Sequence, residues 1–122
     1  MSYSNPITST YVLKAVSVVG GATTLFQFKG PAGRKGVLVD ISAVTTTAVT
    51  VAPTNVTVGS VGTTNKYGTL ALPVATIGSA YNGATVAAVD SNVMPADTTV
   101  VIATSGAATA GAADVAVTIN WF

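Results

Sequence analysis

From Thr10 onward the chain alternates apolar and polar positions with a period of two. That period marks strands with one buried face, since a helix would repeat every 3.6 residues. Tyr11, Leu13 and Ala15 set against Val12, Lys14 and Val16 predict a first strand, which ends at Gly20-Gly21. Thr23 to Lys29 predicts a second, with Leu25 opposed to Phe26 and Phe28. After the loop Gly30-Pro31-Ala32-Gly33-Arg34-Lys35-Gly36, the residues Val37, Val39, Ile41 and Ala43 alternate with Leu38, Asp40, Ser42 and Val44, the clearest strand in the chain. Ala48 to Ala52 and Asn55 to Val61 read as short strands around Pro53, and Gly68 to Ile77 as another, with Pro73 marking an edge or a bulge. Asn82-Gly83 signals a tight turn because both residues tolerate positive φ. Ala84 to Val89 follows as a strand, then turns at Asp90-Ser91-Asn92 and Met94-Pro95-Ala96-Asp97. Thr98 to Thr104 reads as an apolar, buried strand, and Ser105 to Ala113 as a connector of small residues. The closing run puts Val115, Val117, Ile119 and Trp121 on one face. About eight short antiparallel strands separated by turns predict an all-β, single-domain sandwich of jelly-roll type over residues 10–122, preceded by an extended arm at 1–9.

Composition agrees with that pattern. The 122 residues include twenty Val, twenty Thr and twenty Ala, but five Leu, one Gln and no Glu, so strand formers dominate and strong helix formers are scarce. Ile41 to Asn65 and Tyr67 to Val89 carry no charge, yet their Thr, Gly and Pro content and their alternation predict strands and turns, not membrane helices. Charged residues make up 7% of the chain and the net charge is +1, which gives no field to attract nucleic acid or an anionic membrane. A compact monomer of this mass exposes about 6,000 Å². Nine charges over such an area leave a surface of Thr, Ser, Asn and Gly, or one covered by partners. Homo-oligomerisation follows as an expectation, a trimer first and a dimer next. Met1-Ser2-Tyr3-Ser4-Asn5-Pro6 has neither a basic nor an apolar leader segment, so no signal peptide is expected.

The absence of His, Cys and Glu removes most acid-base, thiol and transition-metal chemistry. The Gly30 to Gly36 loop lacks the Gly-Lys-Ser/Thr ending of a phosphate-binding loop and reads as a mobile hairpin loop. Asp40, Asp90, Asp97 and Asp114 show no paired-carboxylate motif. Asp90, Asn92 and Asp97 could offer oxygens to a calcium ion, although three such ligands fall short of a recognised loop. Neither cofactor nor small-molecule substrate is expected. Asn55-Val56-Thr57 matches a glycosylation sequon by chance. Phe26, Phe28 and Trp121 are read as core anchors, with an interface anchor as the competing reading. A terminal Phe122 after an alternating strand suggests an outer-membrane barrel, but Thr118 and Asn120 stand where such strands carry apolar residues.

The extended start Met1 to Ser9, the runs Val12-Leu13-Lys14-Ala15-Val16 and Gly36-Val37-Leu38-Val39-Asp40-Ile41, the Thr/Ala/Val/Gly-rich middle and the closing Val115-Ala116-Val117-Thr118-Ile119-Asn120-Trp121-Phe122 together resemble the decoration, or cement, proteins of tailed bacteriophage heads. The resemblance implies a β-sandwich on the virion surface, made in the host cytoplasm, that clamps neighbouring major capsid subunits and sits as a trimer or less often as a dimer or monomer. An arm that adds to a neighbour's sheet would place Tyr3, Asn5, Pro6 and Ile7 at the partner, joined by the basic pair Arg34 and Lys35. The competing function is a carbohydrate-binding or adhesive sandwich of a phage fibre or bacterial surface. A small hydrolase built on Asp and Ser is a third, short of a base that titrates near neutral pH.

Overall fold

The computed structural model describes residues 7–19, 23–83, 85–86 and 93–122. Ten strands lie among them: β1 (Ile7–Ser17), β2 (Thr23–Lys29), β3 (Gly36–Thr50), β4 (Thr54–Ser60), β5 (Thr63–Leu72), β6 (Ala80–Tyr81), β7 (Thr85–Val86), β8 (Val93–Met94), β9 (Thr99–Gly106) and β10 (Ala110–Trp121). All of their pairings are antiparallel. The first sheet runs β1-β10-β3-β6, with β8 also on β3, and the second runs β2-β9-β4-β5-β7. The chain therefore pairs first strand with last, second with ninth and third with eighth, while β4 turns directly into β5. This is one long hairpin rolled so that successive arms fall in opposite sheets, the jelly-roll winding.

Residues that face each other across the strands share a face, so the register identifies the core. Val115, Val117, Ile119 and Trp121 of β10 stand opposite Leu13, Tyr11, Ser9 and Ile7 on one side, and opposite Ala43, Ile41, Leu38 and Gly36 on the other. Their inward face meets Val56, Val58, Leu70, Leu72, Val100 and Ile102 of the second sheet in one buried cluster. β4 and β9 are covered on both faces. Thr57, Val101 and Ala103 point away from this cluster yet are buried. On that side Gly59, having no side chain, admits the backbone of Thr63 and Thr64, which any Cβ would strike. The uninterrupted apolar run Val100-Val101-Ile102-Ala103 reflects this double coverage.

The structure departs from the sequence reading in particular places. Two-residue strands at β6 and β8 clasp the outer edge of β3, so the strands number ten where about eight were expected. Ala48 to Ala52 is no separate strand, because β3 continues to Thr50. The connector expected over Ser105 to Ala113 narrows to residues 107–109 between β9 and β10. A bulge opposite the Thr118/Ile119 step breaks the alternation of β3, so Leu38 joins Ile41 and Ala43 inside while Val39 is exposed. A second bulge, between Leu13 and Val16 with Ala15 at φ 50°, turns Val16 inward in place of Ala15. β1 starts at Ile7, so residues 7–9 of the expected arm are paired strand, while 1–6 lie outside the described residues. Of the strand expected over Ala84 to Val89, Thr85–Val86 pairs with β5 and the rest lies outside the described residues. Gly83 has φ 80°, but Asn82 lacks the positive φ of a two-residue hairpin turn, and the pair lies between β6 of one sheet and β7 of the other in place of the tight turn expected.

Candidate functional site

Both described ends of the chain meet at one pole of the sandwich. Ile7 opens β1 opposite Trp121, and Phe122 exchanges two backbone hydrogen bonds with Lys35, each N–H donating to the other's carbonyl at 2.9 Å. The loop between β2 and β3 is shaped by what it encloses. Arg34 N–H donates to Pro31 O at 3.1 Å, and Gly33, at φ 74°, occupies the turn position that requires positive φ. Gly33 N–H in turn donates to Asp97 Oδ1 at 3.0 Å, tying the loop to the segment before β9. Gly30 and Gly36 flank the Trp121 indole so closely that a Cβ at either would overlap the ring. The loop is therefore a clasp around a buried tryptophan, and it crosses between the two sheets where a hairpin loop was expected.

The partner residues expected from sequence divide accordingly. Ile7 is 42% exposed and Phe122 47%, and together with exposed Val93 and Lys35 they form an apolar pole with one displayed cation from the loop. Arg34 is 8% exposed, so the basic pair is not displayed as a pair. Tyr3, Asn5 and Pro6 lie outside the described residues, on the chain that runs into Ile7. Among the aromatics, Trp121 is core, whereas Phe28 is half-buried and stacked on Tyr11 at 4.0 Å between ring centres. Phe26 is 41% exposed beside Phe28. The core reading thus holds for Trp121 and fails for Phe26.

The opposite pole carries a feature that periodicity does not reveal. Val51, between β3 and β4, has φ 73°, and Ala52 N–H donates to Thr50 O at 2.9 Å, closing a tight three-residue turn. Positive φ is costly for a β-branched residue, and this one is 79% exposed. Val74 and Ile77, also exposed, lie on the neighbouring segment that pairs with β3 through the Val49–Ala75 bridge. The strained turn thus displays an apolar side chain at this pole.

Chemistry is sparse on the described surface. Lys14 Nζ lies 3.1 Å from Asp114 Oδ2, and Ala15 N–H donates to Asp114 Oδ1 at 2.7 Å. The Ala15 amide first, then Lys14, holds the Asp114 carboxyl below the ordinary carboxylate range. Burial pushes the Tyr67 phenol upward, and Lys66 Nζ lies 5.8 Å from its ring centre. Asp97 is engaged with Gly33, Asp90 and Asn92 lie outside the described residues, and no group of three metal-ligating residues occurs among those described. A hollow of about 170 Å³ lined by Ser42, Ala43, Val44, Ala80, Tyr81 and Asn82 has the Tyr81 phenol as its one titratable group, and is smaller than the roughly 300 Å³ at which ligand pockets begin. No protein-family model matches the chain, and no curated protein matches it.

Proposed function

We propose that this chain is a non-enzymatic virion protein that attaches to the outside of a phage capsid and braces neighbouring major capsid subunits. The observation that carries the reading is the convergence of Ile7, Lys35 and Phe122, far apart in sequence, around the clasped Trp121 at one pole. A rigid, apolar and nearly neutral pole continuous with the amino-terminal segment suits a partner surface that offers main-chain and apolar contacts. A protein repeated over a symmetric shell gains avidity from each weak contact, so few charges suffice. The jelly roll serves capsid and sugar-binding proteins alike and does not choose between them. Sugar binding calls for exposed aromatic faces flanked by planar polar groups; Trp121 and Tyr67 are buried and Tyr11 and Phe28 cover each other, which leaves that reading the exposed rings of Phe26 and Phe122.

Quantitative mass analysis of purified virions from the source of this chain tests the reading. Copies on the order of hundreds per particle are expected for a shell-wide brace. A handful of copies, or glycan binding by the isolated domain, favours the adhesive reading and contradicts this one.

A further inference from the structure

We infer that two copies of this chain join antiparallel along β1 about a two-fold axis at Thr10. The inference rests on the fold alone and stands independently of the capsid reading. Among the described residues β1 pairs with β10 on one side only, and β2 likewise closes the second sheet on the same side of the sandwich. Exposed edges are ordinarily blunted by proline, charge, bulges or shortness. In β1 the blunting devices are confined to its second half. Ile7–Ser17 contains no proline, its one charge is Lys14, and the bulge follows Leu13. The stretch from Ile7 to Leu13 is thus straight and uncharged, and it is symmetric about Thr10.

A two-fold axis at that residue sets Ile7 against Leu13 of the second copy and Ser9 against Tyr11 on the inward face. Thr8 meets Val12, and Thr10 meets itself, on the outward face. No like charges meet, and a net charge of +1 leaves little repulsion between copies. Ile7 gains an apolar neighbour in Leu13, and Val12, 57% exposed, packs beside the methyl group of Thr8. An axis normal to the sheet also brings β2 beside β2 of the second copy, which covers Phe26, the ring the core leaves 41% exposed. Ile7 to Leu13 at about 3.4 Å per residue gives an edge about 24 Å long, and two sheets about 10 Å apart with their side chains make it about 20 Å deep. Roughly 1,000 Å² is then buried in total, at the lower bound of specific interfaces, so the dimer is expected to depend on concentration.

The chain has no cysteine, so single cysteines report the register. Residues directly opposite across antiparallel strands have Cα atoms about 4.5 to 5.5 Å apart, within disulfide range. Under mild oxidation Thr10→Cys is expected to give a covalent dimer, and a mixture of Thr8→Cys with Val12→Cys a mixed one. Lys14→Cys, exposed on the same strand but beyond the pairing, is expected to remain uncrosslinked. Sedimentation of the unmodified chain up to about 0.1 mM, a range suited to so small an interface, is expected to show monomer and dimer. Phe26→Ser is expected to raise the dimer dissociation constant roughly tenfold or more. A monomer throughout that range, a three-copy species, or equal crosslinking at Thr10→Cys and Lys14→Cys overturns the inference.

Discussion

Trp121 joins packing to the proposed attachment surface, because the same indole that fills the pole fixes the loop that displays Lys35. Its Nε1 is buried with no hydrogen-bond acceptor among the described residues, which leaves an orphan donor. Trp121→Ala is therefore expected to cost about 3 to 5 kcal/mol through the cavity it opens. Trp121→Phe keeps most of the bulk and removes the orphan N–H, so its loss is expected to stay below about 2 kcal/mol. Urea midpoints at constant slope separate the two, and equal losses would show that the indole N–H has a partner. Asp114 makes a pH-dependent contribution. Its folded-state carboxyl ionises below the unfolded range, so its stabilisation is present above the ordinary carboxylate range and is lost as pH falls beneath it. Asp114→Asn is expected to flatten that acid limb in melts from neutral pH to about pH 2, and an unchanged limb would assign it to another carboxylate. The inward side of Trp121 was legible from strict alternation in 115–121, whereas the burial of Arg34 was not. Nothing local in Gly-Arg-Lys-Gly says that the loop wraps a residue at the far end of the chain.

Strand existence was legible because Val and Thr alternate, and strand boundaries were less so because turns here compete with equally apolar neighbours. Gly33 announces its turn by residue type. Val51 does not, since a β-branched residue gives no hint of φ 73°, and the sequence reading accordingly ran a strand through it. The face assignments of β1 and β3 failed for one reason: each bulge inserts a residue and inverts the alternation beyond it, as Val16 and Val39 show. Relieving the turn gives a direct check. Val51→Gly is expected to stabilise the fold by about 1 kcal/mol, the released strain outweighing the added chain entropy. A lower melting temperature in that variant would mean that the displayed side chain is held by contacts rather than by strain. Gly36→Ala is expected to act oppositely and destabilise, because its Cβ would meet an indole that has nowhere to move.

At the scale of the whole molecule, 5986 Å² of surface is served by a chain of only nine charges, of which Arg34 is buried and Lys14 and Asp114 neutralise each other as a pair. What remains is a hydroxyl-rich sandwich with apolar groups gathered at its poles and along one side. The winding was legible only as a class, since the nested pairing of first strand with last depends on contacts a hundred residues apart. The poles were not legible: that Ile7, Lys35 and Phe122 meet at one end of the sandwich and Val51, Val74 and Ile77 gather at the other depends on pairings between distant parts of the chain. The proposed role on a capsid makes this arrangement testable in one binding measurement. The chain is titrated onto purified particles stripped of it, at low salt and at about half-molar salt, where the Debye length falls to a few ångströms. Attachment through the Ile7–Phe122 pole is expected to survive the higher salt and to lose at most about 1 kcal/mol with Lys35→Ala, a rim charge. Ile7→Ser with Phe122→Ser is expected to weaken it at least tenfold. Release at half-molar salt, or full binding by the Ile7 and Phe122 variant, would contradict attachment through this pole.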